Sequence, residues 1–118
     1  GYNKRTSRLC VAASDFIILP SFFEPCCLED FIAQIFGTIP IAHKTGGLKK
    51  IIDGKTGFTY TENTPEVLAD TIDSAIKNVF FNPEQKISMI QNASQNVKEN
   101  YSWKKIAREK YITFFKNL

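Results

Sequence analysis

Phe16-Ile17-Ile18-Leu19, entered from Asp15 and stopped by Pro20, is a run of strand-forming side chains with no polar position in it. A run of that length without alternation is the pattern of a strand covered on both faces, and such strands belong to parallel sheets whose crossover helices supply the cover. Pro20 has no amide to give to a ladder and ends the strand. The next periodic segment sets Leu28, Phe31, Ile32, Ile35 and Phe36 at helical spacing and closes on Gly37, the usual residue after a helix. Between strand and helix lies Glu24-Pro25-Cys26-Cys27, where the free amides of a helix N-terminus face the exit of a buried strand. A turn so placed suits a diphosphate.

The alternation continues. Ile39-Pro40-Ile41-Ala42 reads as a second short strand with Pro40 at its entry, and Phe58-Thr59-Tyr60 as a third. Between them lie Thr45-Gly46-Gly47, a turn able to approach a ligand closely, the short mixed segment Leu48 to Ile52, and the tight turn Asp53-Gly54-Lys55. Lys4 to Ala13 predicts a helix with Leu9, Cys10 and Ala13 inward, broken at Ser14-Asp15. Thr64-Pro65-Glu66-Val67 supplies an N-cap, a proline at the first position and an early acid. Val67, Leu68, Ile72, Ala75, Ile76 and Val79 then keep a helical period, and Asn82-Pro83-Glu84 restarts a helix carrying Ile87, Ile90 and Val97. Ser102 caps a last helix with Trp103, Ile106, Ala107, Tyr111, Phe114 and Leu118 spaced for one buried face. The expected fold is α/β: part of a Rossmann-like domain, a short parallel sheet flanked by helices, with a helical C-terminus.

A chain of 118 residues that is 43% hydrophobic is long enough for one domain with a core and too short for two. Fifteen Lys and Arg against 12 Asp and Glu give a net charge of only +3, with the basic residues scattered, which excludes nucleic acid as the expected partner. The three cysteines form neither a C-x-x-C pair nor a disulfide framework, as in a reducing cytosol. No signal peptide is expected, and the longest apolar run, Phe16 to Leu19, is far too short to span a bilayer. The expectation is a soluble, cytoplasmic protein without a membrane partner.

Five motifs in order carry a resemblance that covers nearly the whole chain: Pro20-Ser21-Phe22-Phe23-Glu24-Pro25-Cys26, Gly37-Thr38-Ile39-Pro40, Thr45 to Leu48, Asp53 to Phe58, and Ser102-Trp103. Each alone is a modest match, and their order makes chance agreement improbable. The chain resembles the C-terminal domain of the glycogen synthases of bacteria and the starch synthases of plants. The resemblance implies transfer of glucose from a nucleotide-glucose donor, ADP-glucose in bacteria, to the non-reducing end of an α-1,4-glucan acceptor, with retention and with neither metal nor cofactor. It also implies that residues 1–118 are the distal part of a C-terminal nucleotide-sugar-binding domain. The N-terminal domain is then missing, and a glycine-rich acceptor-side loop and a Lys/Arg pair that neutralises the diphosphate both lie upstream of the matched region.

Glu24 is the expected catalytic residue. It stands at the carboxyl edge of the sheet beside a stiffening proline, and its family counterpart lies against the donor glucose. Without an evident enzyme nucleophile, its tasks are to hold sugar hydroxyls and stabilise positive charge near the anomeric carbon; the alternative is a carboxylate that only caps the turn. The expected donor-binding residues are Cys26, Cys27, Leu28, Glu29, Thr45, Gly46 and Gly47. Cys26 matches a family cysteine near the sugar or, alternatively, is a small buried hydrophobe, and the Thr45-Gly46-Gly47 turn borders glucose and phosphates in the family. His43 reads as a polar neighbour or a satisfied structural group, not a general base, and Lys44, Lys49 or Lys50 as solvated surface groups or partners of a phosphate.

The chain departs from the family in one turn. Cys27 stands where the family has glycine, and Glu29 and Asp30 follow Leu28 where the family has Thr-Gln. Cys27 is expected to crowd the phosphate or force another dihedral, and an ionised Glu29 to repel it: two charges about 5 Å apart at an effective dielectric near 20 interact by roughly 3 kcal/mol, about two decades of affinity. The milder alternative is that both acids complement the helix dipole. A second functional reading is therefore an inactive nucleotide-binding or interaction remnant. A third, a sucrose- or lipid-directed retaining transferase, calls for a second glutamate eight positions after Glu24, where this chain has Ile32.

Overall fold

A computed structural model describes every residue except Tyr2 and Leu118. At its centre is β2 (Ile39–His43), paired in parallel with β1 (Phe16–Leu19) on one side and β3 (Phe58–Tyr60) on the other. Phe16 registers with Ile39 and Leu19 with Ala42; across the other edge Ile41 registers with Phe58 and His43 with Tyr60. Side chains along a strand alternate between faces, and β2 divides accordingly. Ile39 and Ile41 enter one core with Phe58, Ala75, Val79 and Met89. Ala42 enters a second, smaller core with Cys27, Leu48 and Ile51.

The first core is covered by α3 (Pro65–Phe80) and α4 (Pro83–Asn100). Both begin as their sequences dictate: the side-chain oxygens of Thr64 and Asn82 accept from the Val67 and Gln85 amides at 3.3 Å, with proline at the first helical turn. On the N-terminal side, α1 (Lys4–Ala12) precedes β1, and α2 (Glu29–Phe36) links β1 to β2, ending at Gly37 with φ +86. A 3-10 turn, Gly46–Lys50, follows β2. After α4 the chain runs through α5 (Trp103–Ile106), a stretch of π-type turns over Ala107–Ile112, and α6 (Thr113–Lys116); the Ser102 hydroxyl oxygen caps the start of α5 by accepting from the Lys105 amide.

The inward faces differ from those expected. β1 is an edge strand, with Ile18 exposed, because no described segment lies beyond it. Pro40 is the second residue of the central strand and is buried, rather than the residue that opens it. On α1, Leu9, Cys10 and Ala13 face solvent. On α2 the expected apolar stripe is inverted: Leu28, Ile32, Ile35 and Phe36 are exposed while Asp30, Ala33 and Gln34 are buried. Ile76 and Ile87 are exposed on α3 and α4. No described residue of α5 or α6 is buried: Ile106 and Ala107 are half-buried where the helix leaves α4, and Trp103, Tyr111 and Phe114 are exposed; Leu118 lies outside the described residues. No helix of the described residues is long and apolar enough to cross a membrane.

Candidate functional site

The loops that leave β1, β2 and β3 meet at the carboxyl edge of the sheet. Several bonds tie them: Lys44 N–H donates to the Tyr60 carbonyl at 2.7 Å, the Asn63 side-chain amide to the Pro20 carbonyl at 3.3 Å, and the Thr45 hydroxyl to the Phe22 carbonyl at 3.4 Å. His43 is spent in the same way. Its Nδ1 lies 2.7 Å from the Ser21 carbonyl oxygen and its Nε2 3.2 Å from that of Thr61, so it bridges the loops after β1 and β3 as a structural group.

Within this edge the two expected halves of the site are pressed together. Gly47 N–H donates to the Glu24 carbonyl at 2.7 Å. A Cβ on Gly46 would stand 2.0 Å from that same carbonyl oxygen, and one on Gly47 would stand 2.4 Å from the carbonyl oxygen of Cys26. The paired glycines are thus required by backbone lying against backbone. The Glu24-Pro25-Cys26-Cys27 turn and the Thr45-Gly46-Gly47 turn form one wall.

Glu24 is half-buried, and its Oε1 accepts from the Cys27 amide at 3.1 Å. Its Oε2 has no hydrogen bond among the described residues, so one oxygen holds the turn while the other is available to a ligand. Cys26 is exposed. Leu28 is the N-cap of α2 without a capping side chain, and Glu29 in the first turn is exposed. The Leu28 and Glu29 amides have no hydrogen-bond partner among the described residues and stand beside Glu24, with the exposed Glu29 carboxylate nearby, its Oε2 3.8 Å from the Cys27 thiol.

Cys27 does not crowd that opening. Its φ is +54, the left-handed region that glycine enters freely and other residues at a cost of roughly 1–2 kcal/mol. In that conformation the side chain turns inward and is buried against Ala42, Leu48 and Ile51. Burial pushes the thiol above its ordinary pKa, with the Asp30, Glu24 and Glu29 carboxylates adding to the rise, so it is held neutral. The two adjacent cysteines thus sit apart, one exposed and one buried. Cys27→Gly is expected to change folding stability by less than about 1 kcal/mol, relief of the backbone offsetting the lost buried thiol. Cys27→Val, β-branched at a positive φ, is expected to destabilise by roughly 2–3 kcal/mol. Urea denaturation of the two variants separates these outcomes.

Asp30 and Lys50 form a pair that sequence reasoning missed. Asp30, expected at most to complement the helix dipole, is fully buried; Lys50, a candidate for a phosphate, is turned inward instead, its Nζ 3.1 Å from Asp30 Oδ1. Gln34 Nε2 donates to Asp30 Oδ2 at 3.1 Å. The signal was present as one opposite charge in each of two motifs, an acid closing the Cys-Cys-Leu-Glu-Asp turn and a lysine following Thr-Gly-Gly-Leu. Lys44 and Lys49 remain exposed and outside every ion pair of the described residues.

Burial raises the Asp30 carboxyl from its ordinary value of 3.8 to about 6, against the opposing pull of Lys50. The folded chain then holds a proton there that the unfolded chain has released. Folding stability from this group is fully present below pH 4 and falls as pH rises toward 6, by about 3 kcal/mol for two pKa units. Asp30→Asn is expected to flatten that segment of the stability-against-pH curve, measured by urea unfolding from pH 4 to 7.

The comparisons agree with this geometry. The family described as glycosyl transferases group 1 matches residues 2–96. The glycogen synthase of Vibrio cholerae serotype O1 is 36% identical over 115 residues, 92% of this chain and 23% of that protein. Glycogen synthase 1 of Bradyrhizobium diazoefficiens is 36% identical over 119 residues, 100% of this chain and 25% of that protein. The chain thus spans about a quarter of the length of these curated relatives. The solved catalytic domain of starch synthase IV from Arabidopsis thaliana, bound to ADP and acarbose, shares 29% identity at a TM-score of 0.79, over 98% of this chain and 25% of its own. Sucrose-phosphate synthase from Thermosynechococcus elongatus, at 24% identity and a TM-score of 0.72, shares the fold. With the family match running from before α1 through most of α4, this chain belongs to the group 1 glycosyl transferases.

Proposed function

We propose that residues 1–118 are the distal part of the C-terminal nucleotide-sugar-binding domain of a larger cytoplasmic glycosyltransferase of the glycogen and starch synthase type. The reaction is transfer of glucose from a nucleotide-glucose, ADP-glucose, to the non-reducing end of an α-1,4-glucan with retention. The observation that carries the reading is the interlock of the Glu24 turn with Gly46-Gly47 beside the open N-terminus of α2. That wall offers what such a donor needs: a carboxylate with one free oxygen for the sugar, and backbone amides at Leu28 and Glu29 for the diphosphate. In the transfer, the amides stabilise charge growing on the leaving diphosphate, and Glu24 Oε2 faces sugar hydroxyls and the electron-poor anomeric carbon. Cys26, exposed on the Glu24 turn, and Thr45, next to the paired glycines, are assigned to the donor as well, and neither a metal nor a cofactor is assigned a part. The ADP and acarbose named for the starch synthase neighbour support an adenine nucleotide donor and a glucan-like acceptor.

One observation favours the alternative, a nucleotide-binding or interaction remnant: the exposed carboxylate of Glu29 in the first turn of α2, where a phosphate would lie. Calorimetric titration of the intact protein with ADP and with UDP, followed by an assay of glucose transfer to an α-1,4-glucan, decides between them. Saturable ADP binding with transfer is the expected result. Binding without transfer selects the remnant, and no binding of either nucleotide at millimolar concentration sinks the donor-site reading.

A further inference from the structure

Lys50 carries an ammonium with three N–H donors, and three oxygens surround it: Asp30 Oδ1, the carbonyl of Cys26, and the carbonyl of Cys27 at 2.8 Å. The side chain is only 11% exposed, and Nζ lies 4.2 Å from the centre of the Phe31 ring. All its partners come from the stretch that ends the Glu24 turn and begins α2.

The two carbonyl contacts have a directional consequence. In a trans peptide the carbonyl of one residue and the N–H of the next point opposite ways, and the described residues contain no cis peptide bond. Drawing the Cys26 and Cys27 carbonyls to one side therefore turns the Cys27 and Leu28 amides to the other. The Cys27 amide meets Glu24 Oε1 there, at 3.1 Å. The Leu28 amide, on the same side, stands at the N-cap of α2. A cation at the carbonyl end also polarises each peptide, making the N–H at the other end a stronger donor.

We propose that Lys50 is a positioning residue for the donor site: anchored on buried Asp30, it holds the Cys26 and Cys27 carbonyls so that one amide fixes the Glu24 carboxylate and the next is aimed at the donor's diphosphate. The assignment rests on the donor-site reading of this turn. Lys50 does not touch the donor; it sets the direction of groups that do. This also explains why a lysine beside the glycine turn is withdrawn from solvent, where a phosphate-binding lysine would stand free.

Lys50→Met alone strands a buried carboxylate, so fold and site fail together. The informative variant is Asp30→Asn with Lys50→Met, which removes both charges at once. In the intact protein its thermal midpoint is expected within a few degrees of the parent. Its dissociation constant for ADP is expected to rise about tenfold, the scale of one or two aimed hydrogen bonds to an anion. Hydrogen exchange followed by mass spectrometry is expected to show the peptide spanning residues 24–30 losing protection by about tenfold, with β2 unchanged. A double variant that keeps both ADP affinity and protection of that peptide overturns the proposal and leaves the pair a packing device. Should the parent itself fail to bind ADP, the donor-site reading falls, and exchange over residues 24–30 still decides whether Lys50 holds the turn.

Discussion

Alanine at Gly46 or Gly47 is expected to separate the two halves of the donor wall and weaken ADP binding by about two decades, the cost of roughly 1 Å of misplacement at a site of this kind. At Gly46 the new Cβ meets the Glu24 carbonyl oxygen at 2.0 Å and its carbon at 3.0 Å, at a φ of +41. At Gly47 it meets the Cys26 carbonyl oxygen at 2.4 Å and the carbonyl carbon and Cα at 2.6 Å. Every one of these neighbours is backbone, so no rotamer change relieves the contact; one loop must move away from the other. Overpacking of this kind costs about 1–3 kcal/mol, and the left-handed conformation adds about 1 kcal/mol at Gly46. The 2.7 Å bond from Gly47 to Glu24 is lost with the displacement. Thermal melting and ADP titration of each variant check the result. Parental values for both quantities in either variant would show that the loops are not in contact.

Glu24→Gln is expected to leave the fold intact and lower glucose transfer by the intact protein by about 10²- to 10³-fold, the scale seen when one electrostatic stabiliser is removed from an active site. The split follows from the two oxygens having different work. Glutamine keeps an Oε1 that accepts from the Cys27 amide, so the turn survives and ADP affinity changes by less than about tenfold. What disappears is the negative charge that the proposed function sets against the anomeric carbon. Glu24→Ala loses both and adds about 1 kcal/mol of instability from the unpartnered amide. Transfer by the glutamine variant within threefold of the parent would reduce Glu24 to a cap of its own turn.

Much of the fold was legible because local chemistry determined it. Phe16–Leu19 and Phe58–Tyr60 are strands with the bounds their composition implies, and Thr64, Asn82 and Ser102 cap the helices they precede. The meeting of the Glu24 and Gly46-Gly47 turns was implied by placing both after parallel strands. What periodicity could not supply was the inward side of α2. Leu28, Ile32 and Ile35 have the spacing of a buried face, yet Asp30, Ala33 and Gln34 occupy it, because Lys50 lies on that side to receive Asp30. A partner twenty positions away is invisible to a helical window. Cys27 was misjudged for a related reason: its replacement of glycine pointed to a crowded phosphate site, whereas the second core draws the side chain away from the opening. On α1 the half-buried positions are Ser7 and Val11 rather than Leu9, Cys10 and Ala13, and of the face expected on the last helix Ile106 and Ala107 are half-buried while Trp103, Tyr111 and Phe114 are exposed.

The left-handed, inward-facing residue at position 27 also narrows the mutational routes open to this chain. Glycine and cysteine codons differ by one base, so the two residues exchange in a single step. The other single-base neighbours of a cysteine codon specify serine, arginine, tyrosine, phenylalanine and tryptophan. Four of these are too large for the space between Ala42, Leu48 and Ile51, and serine enters it with a hydroxyl that must find a partner. Alanine and valine are one base from the glycine codons, and both meet the backbone restriction on arrival. Position 27 thus combines two demands, a left-handed backbone and a small apolar socket, that glycine and cysteine meet at the least cost among their single-base neighbours.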